Sequence, residues 1–279
     1  MGSLAALDAR LRELDSVLIA FSGGADSAFL LAAAARALGT DAVVAATAVS
    51  ASLPSSELDA ARDFAASLDV RHVMPATDEM SRDGYRANGA DRCFFCKSEL
   101  LDVLSPVARS LGLRHVATGT NADDAVAGFR PGIRAAAQRG AVTPLLDAGL
   151  TKAEVRRISR EWGLVTWDKP AAACLSSRIA YGIEVTPYRL GRVERAESAL
   201  RAAFDLAGIG VRDLRVRDLG DTARVEVDRD LVERVAACPS LLAGLTEFES
   251  VELDPRGFRS GAMNEVLVAA GAGMTVATE

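Results

Sequence analysis

The chain has 279 residues, with 32 lysines and arginines against 38 aspartates and glutamates, a formal charge of -6. An acidic protein offers no net cationic field to a phosphate backbone, which disfavours non-specific nucleic-acid binding, and 49% hydrophobic with 25% charged residues excludes disorder as the main state. No uncharged apolar run reaches the roughly 18 residues a membrane span requires, and the charged start of the chain does not read as a secretory leader, so a cytoplasmic protein away from membranes is expected.

In chain order, an apolar run at 17–21 predicts a first strand, an alanine-rich stretch a helix over 27–38, and 42–46 a second strand. A helix over 55–68, a strand over 71–74, a helix over 96–111 and a strand over 115–118 continue the alternation. That order predicts an α/β fold with a doubly wound parallel sheet, whose ligands sit at the carboxyl ends of the strands. After a helix over 152–162, the irregular stretch Thr166-Trp167-Asp168-Lys169-Pro170 reads as a connection dividing the chain into residues 1–168 and 169–279. The second part predicts a smaller α+β domain, with a charged helix over 186–204, strands over 214–217 and 223–227, a helix over 231–237 and a strand over 250–253.

Between the first strand and its helix stands Ser22-Gly23-Gly24-Ala25-Asp26-Ser27. Two glycines let the backbone turn its N–H groups toward an anion, the hydroxyls of Ser22 and Ser27 add donors, and the helix N-terminus adds its positive dipole end. An ordinary N-capped turn is the alternative. The string lacks the Gly-Lys-Ser/Thr ending of a Walker A loop and resembles the SGGxDS signature of the PP-loop ATP pyrophosphatases. That resemblance implies cleavage of ATP to AMP and pyrophosphate by adenylation of a carbonyl or carboxyl oxygen.

A second cluster, Gly119-Thr120-Asn121-Ala122-Asp123-Asp124, follows the strand ending at Thr118 and falls at the same sheet edge. It is similar to the second nucleotide motif of that superfamily, which makes Thr120 and Asn121 candidate nucleotide contacts. Asp26 and Asp124 are candidate Mg²⁺ ligands, the alternative for Asp124 being a turn with an Asx cap. Lys152, Arg130 and Arg134 are candidates to neutralise departing pyrophosphate, or else part of a solvated face. For Lys152 the family places a lysine in the same Thr-Lys-x-Glu context.

Four cysteines in an intracellular chain point to metal, redox or catalytic use. Cys93-Phe94-Phe95-Cys96 is expected just ahead of a helix starting near Lys97, where dipole and lysine favour thiolate. A CxxC alone suits a thioredoxin-like dithiol, half a zinc site or part of an iron–sulfur site. Cys174 is followed within four positions by two serines and an arginine, as suits a reactive sulfur approached by a polar substrate. Cys238 ends an apolar helical pattern and reads as a small core thiol.

Together SGGADSA, RCFFCKSELL, GTNADD, GLTKAEVR, KPAAACLSSRIAYG and VELDPRGFRSGAMNE resemble the LarE family, over nearly the whole chain. The resemblance implies an ATP-dependent sulfur transferase. Its members adenylate the carboxylates of pyridinium-3,5-biscarboxylic acid mononucleotide and convert them to thiocarboxylates, for the nickel-pincer nucleotide cofactor of lactate racemase. Members with a single cysteine at the place of Cys174 give up that sulfur and keep dehydroalanine. Members that also carry a CxxC imply a 4Fe–4S cluster on Cys93, Cys96 and Cys174, and the family implies a homo-oligomer, a hexamer. Three thiolates leave one iron open, whereas structural zinc takes a closed set of four.

An anionic mononucleotide requires arginines. Arg215 and Arg217 alternate along one predicted strand and share a face, Arg178 follows Cys174, and Arg259 lies further on, with Glu226 on the neighbouring strand pattern. Rival activities on the same loop are ammonia-dependent amidation, which needs no cysteine, and tRNA thiolation, which needs a basic face.

Overall fold

Val17, Ile19 and Phe21 belong to one buried cluster and Leu18 and Ala20 to another, so the first strand is apolar on both faces. Such a strand must be covered on both sides, as crossover helices cover a parallel sheet. The computed structural model, which describes residues 3–126, 130–170, 173–259 and 261–264, has that arrangement. Ala171, Ala172, Ser260 and Glu265 of the motifs above lie outside the described residues.

The first half runs α1 (Ser3–Leu14), β1 (Val17–Ala20), α2 (Ala25–Leu38), β2 (Val43–Ala46), α3 (Ser55–Ser67), β3 (Arg71–Val73), α4 (Arg92–Ser110), β4 (His115–Thr118), α5 (Pro131–Gln138) and α6 (Lys152–Glu161), with shorter helical turns between. The strands are parallel in the order β3-β2-β1-β4. On one face Val17, Ile19, Val43 and Ala45 pack with Leu7, Leu11 and Phe29 of α1 and α2. On the other, Leu18, Val44 and Ala46 pack with Leu101, Leu104 and Ala108 of α4. Truncating one of these side chains, as in Leu104→Ala, costs about 2–5 kcal/mol. The chain leaves β1 toward β2 but returns to β1's other edge as β4, so the carboxyl ends of β1 and β4 form the switch point where a crevice opens.

The helix after β3 starts earlier than the sequence suggests. It begins at Arg92, with Phe94 N–H donating to Asp91 O at 2.7 Å, so the cysteines lie in its first turn rather than ahead of it. No glycine or proline interrupts 91–97, and Phe95 packs against Gly84, where a Cβ would stand 2.2 Å from its ring.

The chain divides into two compact units, Met1–Tyr85 with Asp91–Ala172, and Arg86–Ala90 with Ala173–Glu279. In the second, β5 (Arg215–Asp218) pairs antiparallel with β6 (Thr222–Glu226), which pairs parallel with β7 (Ser250–Leu253). Val216, Ala223 and Val225 form the core with Leu200 and Phe204 of α7 (Pro187–Leu206). Asn88, at φ 53°, is fully buried in this unit. Its amide donates to the carbonyls of Ala180 at 2.9 Å and Ile183 at 2.8 Å.

Candidate active site

Gly23 adopts φ +72°, the left-handed turn that glycine takes without strain, and α2 starts two residues later. Ser27 Oγ lies 3.1 Å from Ser22 Oγ and donates to Gly24 O at 3.1 Å, so the hydroxyls fix the loop from within. Lys169 Nζ donates to Gly23 O at 3.1 Å and pairs with Glu57 Oε2 of α3 at 2.7 Å, while Arg156 holds the Lys169 carbonyl at 3.1 Å. The sequence singles out neither Lys169 nor Glu57, which are 112 residues apart. Only the Lys-Pro step before the Cys174 motif marked the lysine.

The Gly119–Asp124 cluster stands beside this loop. A Cβ on Gly119 would lie 2.9 Å from Ser27 N and 3.0 Å from Ser27 Cα, so only glycine allows the approach. Asn121 is buried and exchanges hydrogen bonds with Asp124, accepting Asp124 N–H at 3.1 Å and donating its own to Asp124 Oδ2 at 3.3 Å. Asn121 therefore makes the Asx-type cap with Asp124 as its reciprocal partner, and Asp124 also pairs with the exposed Arg130 at 3.8 Å. Arg134 stacks over the Phe94 ring at 4.8 Å. Lys152 opens α6, whose N-terminus is closed by a reciprocal Thr151–Glu154 capping box.

Asp26 sits among these groups. Burial pushes its carboxyl above the usual carboxylate range, Lys152 pulls it down, Asp124 pushes it up, and an Asn121 hydrogen bond lowers it. Its Oδ1 is buried with no hydrogen-bond partner, the state of an oxygen that a cation would satisfy. Ser22, Gly24, Asp26, Ser27, Thr120 and Asp124 line one pocket of about 350 Å³ at the carboxyl end of the sheet, with Phe21, Ala46, Ala48, Leu53 and Leu100 as its apolar part. Lys97 also lines it, beyond the role sequence gave it, and burial pushes its ammonium below the usual lysine value against the opposing pull of Cys96.

Cys93 is exposed and Cys96 half-buried, one turn apart on α4, and none of the four cysteines is in a disulfide. Cys238 is exposed rather than a core thiol, because its helix ends at Ala236 and Pro239 turns the chain away. Among the described residues no three His, Cys, Asp or Glu side chains gather as metal ligands.

In the second unit, Cys174 leads into a turn over Leu175–Arg178, with its Sγ 2.9 Å from Ser176 Oγ. Arg178 is buried. Its guanidinium forks onto Glu197 at 2.9 and 3.2 Å and also donates to the carbonyls of Ala173 and Cys174. Glu197 in turn accepts Val216 N–H at 3.1 Å. It had a faint sequence signal, a carboxylate on the α7 face shared by Val193, Ala196, Leu200 and Phe204. Arg217 pairs with Glu226 at 2.6 Å and keeps a buried Nε with no partner. Arg215 stacks over Phe258 at 5.2 Å. Burial, and then the Arg178 and Arg217 charges, push its guanidinium below the usual arginine range, with Glu197 opposing. Arg178 and Arg217 each carry a buried carboxylate partner, Glu197 and Glu226, so two of the three guanidinium charges are balanced within the unit. Arg259 lies in the same unit. Among the described residues no helix is long and apolar enough to cross a membrane.

No protein-family model matches the chain. It is 43% identical over 260 residues to an uncharacterized protein of Synechocystis sp., covering 91% of this chain and 94% of that one. It is 28% identical over 144 residues to an uncharacterized protein of Methanocaldococcus jannaschii, about half of each chain. It is also 33% identical over 273 residues to the pyridinium-3,5-bisthiocarboxylic acid mononucleotide synthase of Lactiplantibacillus plantarum, covering 95% of both. With the motif order and the parallel-sheet fold, this full-length likeness places the chain in the LarE family.

Proposed function

We propose that the chain is a cytoplasmic, ATP-dependent sulfur transferase that converts the carboxylates of pyridinium-3,5-biscarboxylic acid mononucleotide to thiocarboxylates for a nickel-pincer cofactor. Its full-length likeness to a synthase of the bisthiocarboxylic acid mononucleotide is the observation that carries this assignment. A substrate carboxylate oxygen attacks the α-phosphorus of ATP and pyrophosphate leaves. Sulfur then forms a bond to the acyl carbon as the carbon–oxygen bond breaks and AMP departs. Ser22, Gly23, Gly24 and Ser27 cradle the phosphates, with Thr120, Asn121 and Lys152 beside them. Asp26, with its unpartnered oxygen, and Asp124 would hold Mg²⁺, which supplies charge neutralisation on the leaving pyrophosphate.

Arg178, Arg215 and Arg217 bind the substrate phosphate, for which the spare Arg217 Nε is a ready donor. For the sulfur source we take a 4Fe–4S cluster on the thiolates of Cys93, Cys96 and Cys174. Two of these stand at i and i+3 on one helix face, and none is consumed in a disulfide. Held by those three thiolates, the cluster would supply the sulfur that is transferred. The assembly is taken as a homo-oligomer, a hexamer, which light scattering checks.

The test is anaerobic purification with iron and sulfide counted per chain, then incubation with ATP and the biscarboxylate. About four irons, lost in Cys174→Ala, and AMP, pyrophosphate and thiocarboxylate in equal amounts are expected. Absence of nucleotide cleavage in the presence of substrate would reject the assignment. Turnover without iron, leaving dehydroalanine at position 174, would replace the cluster by sacrifice of Cys174.

A further inference from the structure

Glu79 is a buried carboxylate that the proposed chemistry does not use, only 3% exposed, and among the described residues it pairs with no cation. Its partners are hydroxyls. Oε1 accepts from Ser50 Oγ at 2.6 Å and from Ser52 Oγ, and Oε2 accepts from Thr77 Oγ1 at 3.2 Å. Ser50 Oγ also accepts Ser52 N–H at 3.3 Å. One side chain thus pins the loop after β2 to the loop after β3.

The loop after β2 is a wall of the ATP pocket. Ala48 and Leu53 line it on either side of the pinned serines, in the same pocket as Ser22, Gly24 and Ser27. With phosphates at the polar end, the apolar part formed by Phe21, Ala46, Ala48, Leu53 and Leu100 is the place for the base. Thr47 N–H donates to Val73 O at 3.0 Å, and Val49 exchanges hydrogen bonds with Pro75 O at 2.9 Å and Thr77 N–H at 3.0 Å. By strand alternation Ala48 turns its N–H and C=O the other way, toward β1, which has already ended, so they face the pocket. A donor beside an acceptor matches the N1 and 6-amino edge of adenine and opposes the N–H and 6-oxo edge of guanine.

We infer that Glu79 is a positioning residue for base selectivity, fixing the Ala48 backbone at the base edge by holding Ser50 and Ser52. The inference rests on the ATP-dependent reading above. A carboxylate suits the task because it accepts from three hydroxyls without needing to donate, and a glutamine can do so after one hydroxyl rotates.

The test measures pyrophosphate release with the biscarboxylate substrate at varied ATP or GTP, for the wild type, Glu79→Gln and Glu79→Ala. In Glu79→Ala, KM for ATP should rise about tenfold with kcat within about twofold and GTP kinetics unchanged, so that the preference for ATP falls about tenfold. Glu79→Gln should keep the preference within about threefold of wild type. If Glu79→Ala does not fold, Ser50→Ala should show the same loss at about threefold. Equal losses for ATP and GTP, or an unchanged ratio in variants that fold, would overturn the inference while leaving the ATP-dependent activity standing. A wild-type protein that releases no pyrophosphate overturns both.

Discussion

Gly119 and Ser27 stand so close that a single methyl on the glycine would meet the serine's backbone nitrogen at 2.9 Å. The end of β4 and the start of α2 therefore touch through bare main chain, and the obstructing atoms cannot rotate away. Gly119→Ala should push the loop off the helix N-terminus, lower stability by about 1–3 kcal/mol and raise KM for ATP at least as far. Urea unfolding and nucleotide titration of the same preparation check it, and an unchanged KM would show that the loop tolerates displacement.

Lys169 holds the Ser22–Ser27 loop through the Gly23 carbonyl. Its side chain is 22% exposed and Glu57 23%, between the weak surface pair and the costly buried one, so Lys169→Met should cost about 1–2 kcal/mol of stability. It should raise KM for ATP about tenfold while changing kcat by less, because it loosens the loop without touching the reacting atoms. A fall confined to kcat would place the lysine at the chemistry instead.

Asp26 makes stability depend on pH. Burial raises its carboxyl above the usual range in the folded chain, so the protonated form is favoured by folding. That contribution is complete below the ordinary aspartate pKa and is lost as pH rises through the elevated folded value. Asp26→Asn should melt higher than wild type at pH 8, with the gap closing as pH falls toward 5. Its ATP-dependent pyrophosphate release should drop about 100-fold or more. Melting curves across that range read the first effect without any nucleotide.

Glu197 balances Arg178, with 12% and 4% side-chain exposure respectively. Glu197→Ala leaves a buried guanidinium unpaired and frees the Val216 amide, a loss of about 3–5 kcal/mol. Glu197→Gln keeps a hydrogen-bonding oxygen and should lose less. Denaturant midpoints of the two variants check the order, and equal midpoints would argue that the ion pair is dispensable.

The parallel sheet was legible because β1, β2 and β4 are apolar on both faces and strand and helix signals alternate at short range. The SGGADS loop was legible for a similar reason, since glycine, hydroxyl and helix start lie within six residues. The supports of these local features were not. Lys169 meets Gly23 across 146 residues, and Glu79 meets Ser50 across 29, and no spacing rule links such positions. Periodicity placed Arg215 and Arg217 on one face of a strand with Glu226 on the neighbouring one, but not the Glu197 carboxylate that pairs with Arg178 or the ring beneath Arg215. The start of α4 was not legible because the cysteines read as a loop, while Phe95 packs against Gly84, eleven residues upstream.

The Asn88 amide is made early and used late. Its acceptor at Ala180 is 92 residues further along the chain, so during synthesis a ribosome must add the whole Asp91–Ala172 segment of the first unit before those carbonyls exist. The second unit therefore cannot be obtained by cutting the gene at one point. A fragment starting at Ala173 would lack the amide that its own part-buried carbonyls bond to, and a peptide spanning Arg86–Ala90 supplied in trans would be the missing piece.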